Sequence, residues 1–188
     1  MRCNHMQKEI KIAQVSFPQT GSTILCNVLY GFFCPALPIT FRDADLDLPK
    51  DKLVYKSLIY SNSTIGLNLL NNDIYNIFII MSEREKKYPE KLQKHPKVLI
   101  FPFQDLIAKD LYNPNSQRSL EWVILNIYEK STNFLPPELF TNKDKMIKNA
   151  TERVAGMNRL YEEIKDKPFK YYDKFYHIHG SHRGGPRR

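Results

Sequence analysis

The chain has 188 residues and carries 28 Lys and Arg against 20 Asp and Glu, a formal net charge of +8. That length suits one domain, and an apolar content of 42% can build a core, so the composition excludes global disorder. The chain has no run of about 18 apolar residues, which a transmembrane helix needs, and no apolar h-region of the kind that a secretory signal contains. Its three cysteines show no CxxC spacing. We therefore expect a reducing, cytoplasmic setting without a membrane span.

Apolar runs and helical spacing predict four strands and three long helices. The strands are predicted at 10–17, 53–60, 76–81 and 97–103, and the helices at 23–33, 116–130 and 141–165. The continuous run Asn76–Met81 is typical of a strand buried on both faces. Pro102 belongs near a strand end, because proline cannot donate to a sheet ladder. Strands that alternate with helices predict an α/β fold, a mainly parallel sheet flanked by helices.

We expect one compact domain over residues 1–176 and a basic tail at 177–188 (HIHGSHRGGPRR). The tail has no acidic residue, and its Gly-Gly-Pro-Arg-Arg end cannot pack a core. Its three histidines, His177, His179 and His182, have a spacing that could hold Zn²⁺. No carboxylate or cysteine lies near them in the sequence, so we predict a basic segment and no metal site. Trp122 lies on the apolar side of a predicted helix and is expected in the core.

The turn between the first strand and the first helix, Pro18-Gln19-Thr20-Gly21-Ser22-Thr23, is the most informative segment. A tight turn that feeds a helix aims backbone N–H groups at one point, and the helix dipole adds positive potential there. Gly21 permits the close approach of an anion, and Ser22 and Thr23 can cap the helix or donate to phosphate oxygens. The segment is not the GxxxxGK[ST] loop of nucleotide hydrolases. These residues by themselves leave both an anion site and an ordinary capped turn open.

The same residues, Phe17 to Thr23, resemble the 5′-phosphosulfate loop of sulfotransferases that use 3′-phosphoadenosine 5′-phosphosulfate (PAPS). That loop typically reads Pro-Lys-[ST]-Gly-[ST]-[ST] and precedes an apolar helix. Further segments resemble the family in its order: residues 53–57 (LVYKS) its second strand, 77–84 (IFIIMSER) the strand that presents an Arg to the 3′-phosphate, 98–106 (VLIFPFQDL) a strand with a Tyr-Glu-Asp-Leu element, and 179–184 (HGSHRG) its C-terminal 3′-phosphate segment.

The resemblance implies a P-loop NTPase-like sulfotransferase core. Such a core binds PAPS or adenosine 3′,5′-bisphosphate and transfers a sulfuryl group to a hydroxyl acceptor. In this chain the resemblance assigns the catalytic positions to Lys56 and Gln19. It assigns cofactor binding to Gln19, Thr20, Gly21, Ser22, Thr23, Arg84, Arg183 and Gly184.

Two departures from the family pattern bear on catalysis. Gln19 stands where the family has a lysine that contacts the transferred group, and losing such a charge can cost on the order of 10²–10³ in rate. Leu58 stands where cytosolic members have a catalytic histidine. Candidates for the base are then Glu83, Asp43 and Asp45, although each is also typical of a solvated surface acid.

Two alternative functions remain open at the level of the sequence. The first is a degenerate relative that keeps the fold as a binding module. The second is a basic protein associated with nucleic acid, in which the loop merely caps a helix. The net charge favours anionic partners, and residues 169–176 (FKYYDKFY) mix aromatic and basic side chains as single-strand binders do. Packing of that segment onto the domain explains the same pattern.

Overall fold

The computed structural model describes residues 9–17, 20–36, 53–58, 70–71, 75–85, 87–109 and 116–164, with the backbone alone at 55–58, 161 and 164. Four strands and four helices follow one another in these ranges: β1 (Glu9–Ser16), α1 (Ser22–Phe33), β2 (Val54–Leu58), β3 (Tyr75–Glu83), α2 (Glu90–Gln93), β4 (Val98–Pro102), α3 (Leu120–Thr132) and α4 (Lys143–Ile164). Single 3₁₀ turns follow β4 at Phe103–Leu106 and α3 at Pro137–Leu139. The four predicted strands and three predicted long helices are therefore confirmed.

The strands form one sheet in the order β2-β1-β3-β4, and all of its pairings are parallel. The chain leaves β1 to build β2 on one side and later returns to build β3 on the other side. The order of the strands therefore reverses between β1 and β3. In open α/β sheets, ligands bind beyond the carboxyl ends of the strands at such a reversal. Here those ends are Ser16 and Glu83.

Each face of the sheet has its own core, because successive residues of a strand point to opposite faces. Ile12, Ile80 and Phe101 lie on the face that α1, α3 and α4 cover. Ala13, Val15, Ile79 and Met81 lie on the other face, where Leu92 of α2 and Tyr88 pack against them. Burial on both faces confirms the reading of the Asn76–Met81 run. The α2 helix was not predicted, because one turn is too short for a periodic pattern.

Helix α1 is buried on nearly all sides. At Gly31 it approaches α4 so closely that an added Cβ atom would lie 2.4 Å from the Cα atom of Ala150. Arg153 of α4 is also buried, and its Nε donates to Asn27 Oδ1 at 3.1 Å. The Asn27 amide in turn donates to the carbonyl of Thr23 at 2.9 Å. A chain of hydrogen bonds thus links α4 to the first turn of α1.

The expectation that Trp122 lies in the core is wrong. Its side chain is 41% exposed, whereas the following residues of α3, Val123 and Ile124, are fully buried. Trp122 stands at the solvent edge of the apolar stripe, where the guanidinium of Arg118 lies 4.5 Å from the centre of its ring. Among the described residues, no helix has the length and apolarity that crossing a membrane requires.

Candidate functional site

The turn into α1 begins with a glycine in the left-handed conformation. Gly21 has φ +81° and ψ 13° and is the N-cap residue of the helix, which begins at Ser22. The prediction that Ser22 or Thr23 supplies the cap is therefore wrong. Glycine offers no side-chain acceptor, whereas the N-cap Ser119 of α3 accepts a hydrogen bond from the Trp122 amide at 3.1 Å. The first N–H groups of α1 thus lack an N-cap side-chain acceptor and can serve a ligand.

Gly21 is also held tightly against the 3₁₀ turn that follows β4. A Cβ atom at this position would lie 3.0 Å from Leu106 Cδ1 and 3.4 Å from Phe103 Cδ2. The positive φ therefore favours glycine, and any side chain here would also have to displace Leu106 slightly. This packing fixes the start of α1 relative to the carboxyl end of β4.

Buried hydroxyl groups anchor the turn to the two central strands. Thr20 Oγ1 donates to the carbonyl of Phe17 at 2.7 Å and lies 2.8 Å from Ser82 Oγ of β3. Ser82 Oγ lies 2.9 Å from Ser16 Oγ at the end of β1, and the Ser82 amide donates to the same oxygen. Because the single proton of Thr20 is given to Phe17, its hydroxyl positions the turn and is not a donor for a phosphate.

A glutamine lies beneath this hydroxyl cluster. Gln14 is fully buried on β1, and its Nε2 donates to Ser16 Oγ at 2.6 Å. Its Oε1 has no hydrogen-bond partner among the described residues. Gln14 thus connects β1 to the hydroxyl cluster through Ser16.

Tyr88 clamps the same region from the other face of the sheet. Its hydroxyl donates to the carbonyl of Ser82 at 2.6 Å and accepts from the amide of Phe17 at 3.2 Å. The rings of Tyr88 and Phe17 stack at 4.8 Å, only 4° from parallel. Burial raises the pKa of Tyr88 to about 12, so the hydroxyl keeps its proton at neutral pH. The backbone of β1 is thereby tied to β3 just before the turn.

Arg84 follows β3 directly and supplies positive charge at this edge. Its guanidinium lies 4.7 Å from the centre of the Phe103 ring and 3.7 Å from a carboxylate oxygen of Glu85. The side chain is 49% exposed, so it can reach a ligand. Glu83 is a weak candidate for a base, because Lys87 Nζ binds its carboxylate at 2.7 Å.

The structure brings six of the predicted site residues to one edge of the sheet. Four of them, Thr20 to Thr23, form the turn and the first residues of α1. Glu83 ends the neighbouring strand β3, and Arg84 follows it. Lys56 is placed only by its backbone, opposite Gln14 in the register of β2 with β1. The remaining predicted residues lie outside the described residues: Gln19, Arg183, Gly184, Asp43 and Asp45.

Comparisons with protein-family models, with curated proteins and with solved structures found no match. The described residues also contain no group of three or more His, Cys, Asp or Glu placed to hold a metal ion. The case for a function therefore depends on the geometry of the turn and on its resemblance to the phosphosulfate loop.

Sequence reasoning missed four residues that shape the site: Gln14, Ser16, Ser82 and Tyr88. Three of them carried a signal, since Gln14, Ser16 and Ser82 are polar residues within apolar strands that approach one sheet edge. Tyr88 gave none, because only the fold brings it to Phe17.

Proposed function

We propose that the chain binds a phosphate-bearing nucleotide, PAPS or adenosine 3′,5′-bisphosphate, at the N-terminus of α1 in a sulfotransferase-like, P-loop-type core. One observation carries the proposal. The left-handed Gly21 starts a buried helix at the point where the strand order reverses, and the preceding Thr20 is anchored to the strand that leads into Arg84.

The donors at this edge fit a phosphate group. The N–H groups of the first turn of α1 are neutral donors beside the positive end of the helix dipole, and the resemblance adds the hydroxyl of Thr23. Arg84 adds a guanidinium that can bind phosphate oxygens through two N–H groups. Thr20 contributes by anchoring the turn. The resemblance adds Lys56, Arg183 and Gly184 as further phosphate contacts.

Transfer is a further step beyond binding. PAPS would supply the sulfuryl group, and in-line transfer needs stabilisation of the leaving bisphosphate and a base for the acceptor hydroxyl. Gln19 brings no charge to the leaving group, and Glu83 is engaged by Lys87. The chain is therefore better equipped to bind the nucleotide than to turn it over, which keeps the degenerate binding module as the second candidate.

Thermal unfolding with adenosine 3′,5′-bisphosphate tests the binding. A ligand that binds only the folded state adds roughly 2.7 kcal/mol at about 100 times its Kd. We expect Arg84→Ala to weaken the stabilisation at least several-fold, because an exposed phosphate cation is lost. Lys91→Ala, which removes an exposed cation of α2, should leave it unchanged. Gly21→Val is a poor test, since the strained φ and the contact with Leu106 would disturb the fold itself.

Two outcomes would contradict the proposal: no stabilisation by the bisphosphate, or Arg84→Ala protein that binds as tightly as wild type. Free adenosine and inorganic phosphate serve as ligand controls and should bind more weakly than the bisphosphate. Incubation with labelled PAPS and hydroxyl acceptors then separates the two candidates. A labelled acceptor supports transfer, whereas binding without any product supports the binding module.

A further inference from the structure

A strip of two arginine–aromatic pairs runs along the surface from the 3₁₀ turn to α3. Arg84 stacks on Phe103, and Arg118 stacks on Trp122 at 4.5 Å. The pairs are adjacent, because Arg118 Nη1 donates to the carbonyl of Gln104, the residue after Phe103. Trp122 is the only large hydrophobic side chain among the described residues that is exposed. We call Phe103, Arg118 and Trp122 the stacked strip.

The charges beside the stacked strip are fixed in place by one carboxylate. Asp105 binds Arg118 Nη1 through Oδ1 and Lys130 Nζ through Oδ2, both at 2.9 Å. Two cations therefore share one anion, and one positive charge remains in excess. The side chain of Asp105 is only 18% exposed, so these contacts are partly shielded from water. Because the cations are already ordered, a ligand loses little further side-chain entropy when it binds them.

We propose that the stacked strip binds single-stranded nucleic acid. Single-strand binders combine exposed aromatic rings, on which successive bases stack, with basic side chains that contact the backbone phosphates. Trp122 provides an exposed ring and Phe103 a half-buried one, and Arg118 and Lys130 provide the cations. A sulfated glycan fits less well, since it carries a dense row of charges and the strip offers only one positive charge in excess. Base stacking, and not net charge, should therefore supply most of the affinity.

Trp122 is the only tryptophan of the chain, so its fluorescence reports directly on this surface. We expect oligothymidine of about ten nucleotides to quench this fluorescence and to saturate. In anisotropy titrations with labelled oligonucleotide, Trp122→Ala should lower the affinity about 5- to 150-fold, the range for one stacked base. Trp122→Phe should lose less, because it keeps a ring. Lys145→Ala, which removes an exposed cation from α4, should bind like wild type.

The salt dependence provides an independent readout. With two phosphate contacts on a single strand, a plot of log K against log salt concentration should have a slope near about −1.4. Arg118→Ala should make this slope shallower by about 0.7, because one phosphate contact is lost. Binding through the basic residues of the tail at 177–188 would instead give a steeper slope that Arg118→Ala does not change.

Three results would overturn the proposal. The first is oligonucleotide binding that leaves the Trp122 fluorescence unchanged. The second is wild-type affinity in both Trp122→Ala and Arg118→Ala. The third is a sulfated polysaccharide that quenches Trp122 at lower concentration than the oligonucleotide. Neither Trp122 nor Arg118 belongs to the proposed nucleotide site, so bisphosphate binding can fail or succeed independently of this result.

Discussion

Single hydrogen bonds of a few buried side chains hold the turn in place. Thr20, Ser16 and Ser82 join the turn to the ends of β1 and β3, and Tyr88 adds a second tie through Phe17. Each of these contacts spans strands that are neighbours only in the folded sheet. The shape of the turn therefore depends on side chains from both central strands and from Tyr88.

The stability of the Tyr88→Phe protein should fall less steeply with rising alkaline pH than that of the wild type. Burial raises the pKa of Tyr88 to about 12, whereas a tyrosine in an unfolded chain titrates near about 10. The folded state keeps the proton longer, so this stabilisation is complete below about pH 10 and is lost as the pH rises toward 12. Urea midpoints of both proteins, compared from about pH 8 upward, measure the effect.

A residual slope is expected in the Tyr88→Phe protein, because burial also raises the pKa of Tyr30. Below about pH 10 the variant should be less stable by about 1–3 kcal/mol, since the Phe17 amide and the Ser82 carbonyl lose a partner. Equal slopes in the two proteins would show that the Tyr88 hydroxyl does not titrate as proposed.

At the scale of elements, α1 is the central helix of the sheet face that α1, α3 and α4 cover. It packs on the sheet, on α3 and, most closely, on α4. Gly31 allows that closest contact, and Arg153 and Asn27 carry a hydrogen-bonded link from α4 to Thr23. Two sets of contacts thus fix the position of the α1 N-terminus. One is the packing and hydrogen bonding of α1 with α4, and the other is the hydroxyl cluster that anchors the preceding turn.

Gly31→Ala should destabilise the protein by roughly 1–3 kcal/mol or more, because the added methyl group overpacks the interface. Its Cβ would lie 2.4 Å from the Cα and 2.7 Å from the backbone N of Ala150. Urea unfolding measures the loss. The double variant Gly31→Ala/Ala150→Gly should not regain wild-type stability, because the atoms of Ala150 nearest to the added Cβ belong to the backbone. Recovery of wild-type stability in the double variant would mean that the Ala150 side chain causes the clash.

At the scale of the molecule, one sheet supports two cores. Neighbouring residues of β3 serve different faces: Ile80 packs under α1 and α3, and Met81 packs on the side of α2. β1 is divided in the same way between Ile12 and Ala13. Neither core can lose its strands without exposing the other.

We therefore expect one cooperative unfolding transition. Trp122 fluorescence, which reports on the α3 side, and far-UV circular dichroism should give the same urea midpoint. Ile80→Ala and Met81→Ala each remove a fully buried side chain and should cost about 2–5 kcal/mol. Both variants should lower the two midpoints together. Separate transitions for the two probes would show that the faces unfold independently.

The elements were predictable because their signals are local. The run Asn76–Met81 needs only its own letters to indicate a buried strand, and Pro102 indicates where the last strand ends. The prediction that Trp122 lies in the core was wrong for a local reason too, because helical periodicity locates the edge of an apolar stripe only to within about one residue. The contact between Ser16 and Ser82 could not be predicted, because 66 residues separate them and strand order decides that they meet. The left-handed conformation of Gly21 and its packing under Leu106 were not predicted, since the residue type was used only to predict the close approach of an anion.

The central position of β1 has a consequence for how the protein forms during synthesis. Of the strands in the described residues, β1 is made first, yet it pairs with β3, whose residues follow it by 66 positions in the register. A growing chain that has not yet reached Tyr75 therefore presents β1 with an unpaired edge, and closing so long a loop is slow compared with forming a helix. Of the described strands, β1 therefore has the longest delay between its own synthesis and that of its last partner. During this time its free edge can pair wrongly with another chain.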